Sequence, residues 1–350
     1  MSRREAALRQ KTPEFNGFGV KRMRAAIVGG GLAGLAAALR LQTAGADVHV
    51  FDKGRGPGGR MSTRRAQTPL GELRFDHGAQ FFTARDPGFQ SVVAELQEDG
   101  HVAEWTGVFH LDGGPDPRPD TRYVGAPGMN GIIRGLAARV SSIEWGRRVE
   151  AVEGAPGKWR LKFDAGDDVS EFDAVVIATP AEQAGPLLQP IAPGMAAEAE
   201  AARSAPCWSI MLAFDSLVET KFDGARWSKP AGNSPISWAA RNASKPGRGD
   251  VETWIVHGSP DWSRVHLEWE PDAAAEALVK AFCEMTGATA PIHAAAHRWR
   301  YSQIETSAQS AFGWDAALGV GCCGDWRLGP RVECAWMSGD ALGEAMAARI

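Results

Sequence analysis

Residues 24–65 read RAAIVGGGLAGLAAALRLQTAGADVHVFDKGRGPGGRMSTRR, and the order of features in that stretch decides the fold. The apolar run 25–28 predicts a buried parallel strand that breaks at three glycines. An Ala/Leu-rich segment, 32–43, predicts a helix, and the run 47–51 predicts a second strand ending on Asp52. The unit is βαβ with G-x-G-x-x-G as Gly29, Gly31 and Gly34. Gly29 permits the tight turn, Gly31 admits a pyrophosphate against the backbone, and Gly34 lets the helix pack on the strand. From Leu32 the helix start presents unpaired N–H groups and a partial positive charge to phosphate. Asp52 follows Gly31 by 21 residues, about where a carboxylate meets an adenosine ribose. Strand, glycines, helix, strand and acid in this order favour a dinucleotide site over a purely structural turn.

The βαβ unit alone does not separate NAD from FAD. The feature that does is Gly58-Gly59-Arg60-Met61, directly after the acid. A second glycine pair followed by a guanidinium suits a pyrophosphate that continues into a bulky second half, with Arg60 offering paired N–H donors. The competing reading is a solvated glycine loop carrying a surface arginine.

The 350 residues are enough for one large or two intertwined domains, and 44% hydrophobic with 23% charged residues is ordinary for a soluble globular chain. A net charge of −4 and a pI near 6.1 give no nucleic-acid surface. No apolar run reaches the roughly 18 residues of a membrane span. The N-terminal stretch lacks the apolar core of a secretory signal, so residues 1–22 read as a disordered tail or an artefact of start choice, with Met23 a candidate start. The five cysteines form no C-x-x-C pair and no zinc spacing, so no metal is expected. Adjacent Cys322 and Cys323 read as small buried side chains rather than a redox pair, and a reducing cytoplasm fits best. Ten of the 13 tryptophans lie beyond residue 200.

Along the chain, 73–82 predicts a strand interrupted at Gly78, and Asp86-Pro87 caps a helix through about Leu96. Residues 112–120, DGGPDPRPD, form a polar loop. Gly128-Met129 opens a helix, 149–152 and 159–163 form a hairpin, and 173–178 is a second parallel-type strand. Short strands at 210–214, 234–239 and 252–256 predict an antiparallel sheet. Asp272 caps a helix to about Met285, 298–301 and 318–323 are strands, and a helix closes the chain over 335–349. The fold class is α/β (α+β overall): a discontinuous Rossmann-type nucleotide domain (23–85, 128–182 and 296–350) with an inserted mixed or antiparallel-sheet substrate domain (86–127 and 183–295).

GGGLAG, the Asp52 terminus and GGRMST resemble the flavin-containing amine oxidase superfamily. FDHGAQFF, HRWRY and GDWRLGPRVECAWMSG look like its short bacterial renalase-like branch, and the resemblance covers residues 24–350. It implies an amine-oxidase or p-hydroxybenzoate-hydroxylase-like two-domain flavoprotein with FAD held noncovalently. For the renalase branch it implies oxidation of 2- or 6-dihydro isomers of NAD(P)H to NAD(P)⁺, with O₂ as acceptor and H₂O₂ as product. Carried over, Gly29, Gly31, Leu32, Ala33 and Gly34 hold the pyrophosphate, and Asp52, with Lys53 beside it, holds the ribose. Gly59, Arg60 and Met61 lie along the diphosphate and flavin edge, and Gln80 and Phe81 touch the flavin. Val149 contacts the adenine side, with Ala178 and Thr179 nearby. Gly324 and Asp325 meet the ribityl or phosphate region, and Val332, Glu333 and Ala335 bring backbone to the pyrimidine end. Two departures stand out: Asp52 replaces the commoner glutamate, and no lysine matches the flavin-proximal one of many amine oxidases.

Flavin supplies the hydride acceptor, so neither a Ser/His/Asp triad nor a pair of carboxylates is required. Substrate-pocket candidates are Trp238, His257, Trp262, Trp299, Arg300, Tyr301 and Trp326, whose flat rings suit a planar substrate. Against each stands the commoner role of a tryptophan in a core, and His257 reads equally well as a structural histidine. Arg64-Arg65 reads as a solvated basic turn. An amine oxidase and a non-catalytic flavin-binding regulator are the alternatives; the oligomeric state is left open.

Overall fold

In the computed structural model of the chain, residues 22–166, 170–228 and 234–350 are described. The expected tail, 1–22, lies outside these apart from Arg22. The chain opens with β1 (Arg24–Val28), α1 (Leu32–Thr43) and β2 (Asp47–Asp52). A ribbon of β3 (Arg64–Thr68) and β4 (Gly71–Phe75) precedes α2 (Pro87–Glu98). Short strands β5 (Val102–Glu104), β6 (Phe109–Leu111), β7 (Gly114–Pro115) and β8 (Tyr123–Gly125) lead to α3 (Gly131–Ala137) and β9 (Ile143–Trp145). The hairpin β10 (Val149–Ala155) and β11 (Lys158–Phe163), then β12 (Ala174–Ile177), α4 (Ala181–Leu188) and α5 (Pro193–Ala201), complete the first half. Next come β13 (Arg203–Ala213), β14 (Gly224–Arg226), β15 (Ile236–Arg241) and β16 (Thr253–Gly258). The helices α6 (Pro260–Val265) and α7 (Pro271–Thr286) and the long β17 (His293–Thr306) follow. The chain ends with β18 (Gly313–Asp315), β19 (Val320–Cys322), α8 (Asp325–Leu328) and α9 (Val332–Ala347).

One sheet runs β18-β19-β12-β1-β2-β9, parallel except for β18. Its central strand β1 is buried on both faces, which is why its sequence is continuously apolar rather than alternating. Helices α1 and α9 cover one face at close range: a Cβ on Gly339 would stand 2.0 Å from the Ala33 carbonyl. The closing helix therefore lies directly on the opening one, and an Arg40–Asp340 pair at 2.7 Å caps the contact.

The second sheet runs β17-β13-β16-β15-β14-β6-β7, antiparallel except where β14 meets β6. Strand alternation sends Trp208, Ile210 and Leu212 to one side, where α7 covers them with Leu278 and Phe282. The opposite side faces the nucleotide half.

Several expected elements differ. The 73–82 strand stops at Phe75 and pairs back on β3, so Arg64 and Arg65 sit on an exposed strand and not in a turn. Part of the 112–120 loop is β7, at the edge of the second sheet. Glu270, not Asp272, occupies the N-cap of α7. Helix α2 buries Phe89, Val93 and Leu96 in the same core as α1, so it packs with the nucleotide half. Strand β17 pairs along β13, which puts its residues from 296 onward in the second sheet.

Candidate active site

The glycine turn is built as its spacing demands. Gly29 has φ +113°, and a Cβ there would stand 2.8 Å from the Ala178 carbonyl. A Cβ on Gly34 would stand 1.9 Å from the Gly29 carbonyl, so helix and strand touch through backbone alone. A Cβ on Gly31 would meet nothing within 4 Å. That position opens into a cavity of about 860 Å³, within the roughly 300–1,000 Å³ of ligand sites. Helix α1 has no side-chain cap, so its first N–H groups are left for a ligand. Asp52 accepts from Gly30 N at 2.7 Å and Gly54 N at 2.6 Å, which fixes the carboxylate and leaves lone pairs for a ribose hydroxyl. Val149 lies two residues beyond Arg147, whose N–H donates to the Asp52 carbonyl at 2.8 Å.

Ala178 and Thr179 line the same cavity, and the Thr179 hydroxyl is buried without a partner. Gly324 and Asp325 continue the wall. Here the arrangement differs from expectation. Both terminal nitrogens of Arg60 are held by Asp325, at 2.8 and 2.6 Å, so the two act as one pair lining the cavity. Gly59 precedes Arg60 in the left-handed region at φ +55° and does not itself line the wall. Lys53 reaches away to Gln183 at 2.9 Å. Helix α9 also starts uncapped, with Val332 and Ala335 on the cavity. The Glu333 side chain turns inward and accepts from the Arg85 and Asp86 N–H groups at 2.5 and 2.6 Å, and Glu333 itself does not line the cavity.

The far wall is a row across the second sheet. Five adjacent strands contribute cavity-lining residues, among them Trp299, Cys207, His257, Trp238 and Arg226. Pairing places Trp299 opposite Cys207, and Trp238 opposite both His257 and Arg226. Phe81 stands 5.6 Å from Trp238 with the rings tilted by 40°, so the two are in contact and form one aromatic stretch of the cavity wall. Trp238 Nε1 and His257 Nε2 are both buried without partners. Burial, with the nearby Lys245 charge, pushes the His257 imidazole down to about 4, so it is neutral at pH 7. Burial likewise raises the Cys207 thiol to about 12, which removes it as a nucleophile.

Four pocket candidates fall elsewhere. Trp262 stacks on His266 at 4.5 Å, and Trp326 is buried against the first sheet with its indole N–H on the Thr179 carbonyl. Arg300 is exposed and paired with Glu268 at 2.6 Å, and Tyr301 is off the cavity wall. Residues 299 and 300 point to opposite faces of the strand, so Trp299 meets the cavity and Arg300 does not. Cys322 and Cys323 are buried and free, their thiols raised by burial, as expected of small core residues.

Behind Gln80 lies a charged cluster that sequence reasoning missed. Asp76 is fully buried and accepts from Arg248 Nη2 at 2.5 Å, Thr63 Oγ1 at 2.7 Å and Met129 N at 2.9 Å. Lys245, also buried, sits 3.6 Å from Asp76 and donates to Gln80 Oε1 at 3.0 Å. Gln80 Nε2 in turn donates to the carbonyls of Asp76 and Gly78. Burial pushes Lys245 down to about 8, partly offset by Asp76. The cluster clamps the amide of a cavity-lining residue in one orientation. The only trace in sequence is a lysine and an arginine flanking a Pro-Gly turn, 245–248.

Two uncapped helix starts, an open glycine position, a threonine with an unpartnered hydroxyl and an aromatic wall converge on one cavity. Fold and site define a dinucleotide-binding oxidoreductase whose donor set fits FAD: phosphates at the start of α1, pyrimidine edge at the start of α9. A family model for flavin containing amine oxidoreductase matches residues 105–316, and one for an NAD(P)-binding Rossmann-like domain matches residues 27–96. The chain belongs to the flavin-containing amine oxidoreductase family, and its cofactor is FAD.

Solved structures share the fold. A putative protoporphyrinogen oxidase from Exiguobacterium sp. 255-15 aligns at TM-score 0.74 and 13% identity, covering 94% of this chain and 99% of that one. Cyclohexylamine oxidase from Brevibacterium oxydans IH-35A gives 0.73 at 12% identity, and putrescine oxidase bound to putrescine gives 0.66 at 14%, each with the same coverage. Among the described residues no helix is long and apolar enough to cross a membrane.

Proposed function

We propose that this chain is a renalase-like oxidase that takes hydride from 2- or 6-dihydro isomers of NAD(P)H, yields NAD(P)⁺, and reduces O₂ to H₂O₂. The observation that carries this reading is the cross-strand pair Trp238–His257, two cavity-lining residues whose buried ring nitrogens have no partner in the protein. The second imidazole nitrogen is taken by the His77 backbone, so Nε2 is the acceptor and the indole N–H the donor. A donor and an acceptor side by side match the carbonyl and amide of a carboxamide on a planar ring. FAD, when bound, supplies the hydride acceptor. Phe81 and Trp238 hold the substrate ring flat, and Gln80, fixed by Lys245, keeps the 78–81 segment against the cofactor edge. The uncapped start of α9 stabilises negative charge that develops beside it. No protein base is required, because a dihydronicotinamide has no N–H proton to lose first. We place the protein in the cytoplasm, where its free thiols persist.

A second reading, oxidation of an amine, is favoured by the names of the cyclohexylamine and putrescine oxidases that share the fold. Anaerobic mixing of the FAD-loaded protein with each dihydroNAD(P) isomer and with an amine panel separates the two. Loss of visible flavin absorbance with the dihydro isomers is expected; loss with amines alone overturns the assignment.

A further inference from the structure

Beyond Phe81 the cavity ends in guanidinium groups. Arg85, Arg118, Arg122, Arg226 and Arg331 all line it. Arg85 is matched by Asp120 at 2.6 Å, and Arg331 by Glu333 at 3.2 Å. The other three are not balanced. Asp116, whose side chain is 2% exposed, accepts from both Arg118 and Arg122 at 2.5 Å. Arg226 has no carboxylate within ion-pair distance among the described residues. Arg118 and Arg122 share one carboxylate and Arg226 has none, so positive charge is in excess at these three. The lining carboxylates Asp120, Asp261, Glu305 and Asp325 are held by Arg85, Arg264 and Arg60.

The rim is also tied to the aromatic wall. Arg122 lies 3.9 Å over the Phe109 ring and 5.4 Å from Phe81, which borders Trp238. The buried carboxylate of Asp116 aims both of its arginines, and Arg118's hydrogen bond holds it at about 2, so it stays ionised through the physiological range. Arginine is the side chain that grips phosphate through paired donors.

We propose that Arg118, Arg122 and Arg226 form an anion subsite that holds the diphosphate of a substrate whose ring lies against the Phe81–Trp238 pair. The excess of guanidinium over carboxylate at these three residues matches the negative charge of a bridging diphosphate in sign. A cationic amine would meet repulsion at this end. The proposal rests on the hydride-donor reading above but makes a separate claim about charge.

The FAD-loaded full chain is tested with two probes. Inorganic pyrophosphate is titrated into wild type, Arg118→Ala, Arg226→Ala and Arg300→Ala, the last being an exposed arginine off the cavity. Binding that weakens with salt and falls about tenfold or more in the two rim variants, but not in Arg300→Ala, is expected, as one charge-assisted hydrogen bond requires. No binding, or equal binding in all four proteins, overturns the subsite. In the second arm, the rim variants raise KM for a dihydroNAD isomer and leave that for the matching phosphate-free riboside unchanged. Equal shifts for both overturn the subsite. If neither dihydronicotinamide is oxidised while pyrophosphate binding still depends on the rim, the subsite stands and the hydride donor is another anion.

Discussion

Asp325 grips both terminal nitrogens of Arg60 across 265 residues of sequence, joining the glycine loop after β2 to the first turn of α8. The pair presents a guanidinium and a carboxylate to the same stretch of cavity. Removing Arg60 leaves an uncompensated carboxylate beside the diphosphate. Arg60→Ala is therefore expected to weaken FAD binding by about 1–3 kcal/mol, and Arg60→Ala/Asp325→Ala to weaken it less. FAD titration with a parallel thermal melt checks both. A double variant worse than the single would show that Asp325 itself binds the cofactor.

Asp76 is a fully buried carboxylate paired with two buried cations, Lys245 and Arg248. Asp76→Asn strands Lys245 and Arg248 as buried cations, and a loss of about 3–5 kcal/mol is expected in urea unfolding. Burial alone would raise this carboxyl above its ordinary 3.8, but Lys245, Arg248 and the Met129 N–H hold it below. A group depressed in the folded state contributes stability above its unfolded pKa and loses it as pH falls through the folded one. Acid unfolding of wild type below pH 4 should carry this component, and Asp76→Asn should lack it.

Two histidines set a milder acid limit. Burial pushes His257 to about 4 and His77 to about 3, against 6.5 unfolded. Between those values the unfolded chain binds more protons, so stability falls as pH drops below 6.5. From pH 7 to 5 each histidine costs about 2 kcal/mol on this basis. His257→Leu should flatten the dependence of the urea midpoint over that range by one histidine's share; an unchanged slope would show that His257 is not buried neutral.

The opening βαβ unit was legible because its information is local: glycine spacing, helix composition and a terminal acid. What sequence could not show is which face of the second sheet meets the cofactor. Trp299 and Arg300 are neighbours that a strand sends to opposite sides, and Trp238 meets His257 only through the pairing of β15 with β16. Lys245 was hidden for a different reason. A lysine in a Pro/Gly turn reads as solvated, and only the fold places a buried carboxylate 3.6 Å away. Arg118 and Arg122 were passed over likewise, because one lies in and the other just beyond a polar loop in which the burial of Asp116 is not visible in sequence.

The glycine turn itself separates packing from binding. Gly34→Ala would place a Cβ 1.9 Å from the Gly29 carbonyl, against backbone that has nowhere to move. At least 1–3 kcal/mol of destabilisation, roughly the cost of overpacking, is expected in the FAD-free protein. Gly31 has φ −78° and ψ −178°, which alanine adopts freely, and open space where its Cβ would go. Gly31→Ala should leave the FAD-free melt unchanged or raise stability by about 0.4–1 kcal/mol. Yet its methyl group would stand where the pyrophosphate approaches the start of α1, so FAD affinity should fall at least tenfold, about 1.4 kcal/mol. Melts of the two FAD-free variants and FAD titration of Gly31→Ala distinguish the roles; undiminished FAD affinity in Gly31→Ala would move the pyrophosphate away from this turn.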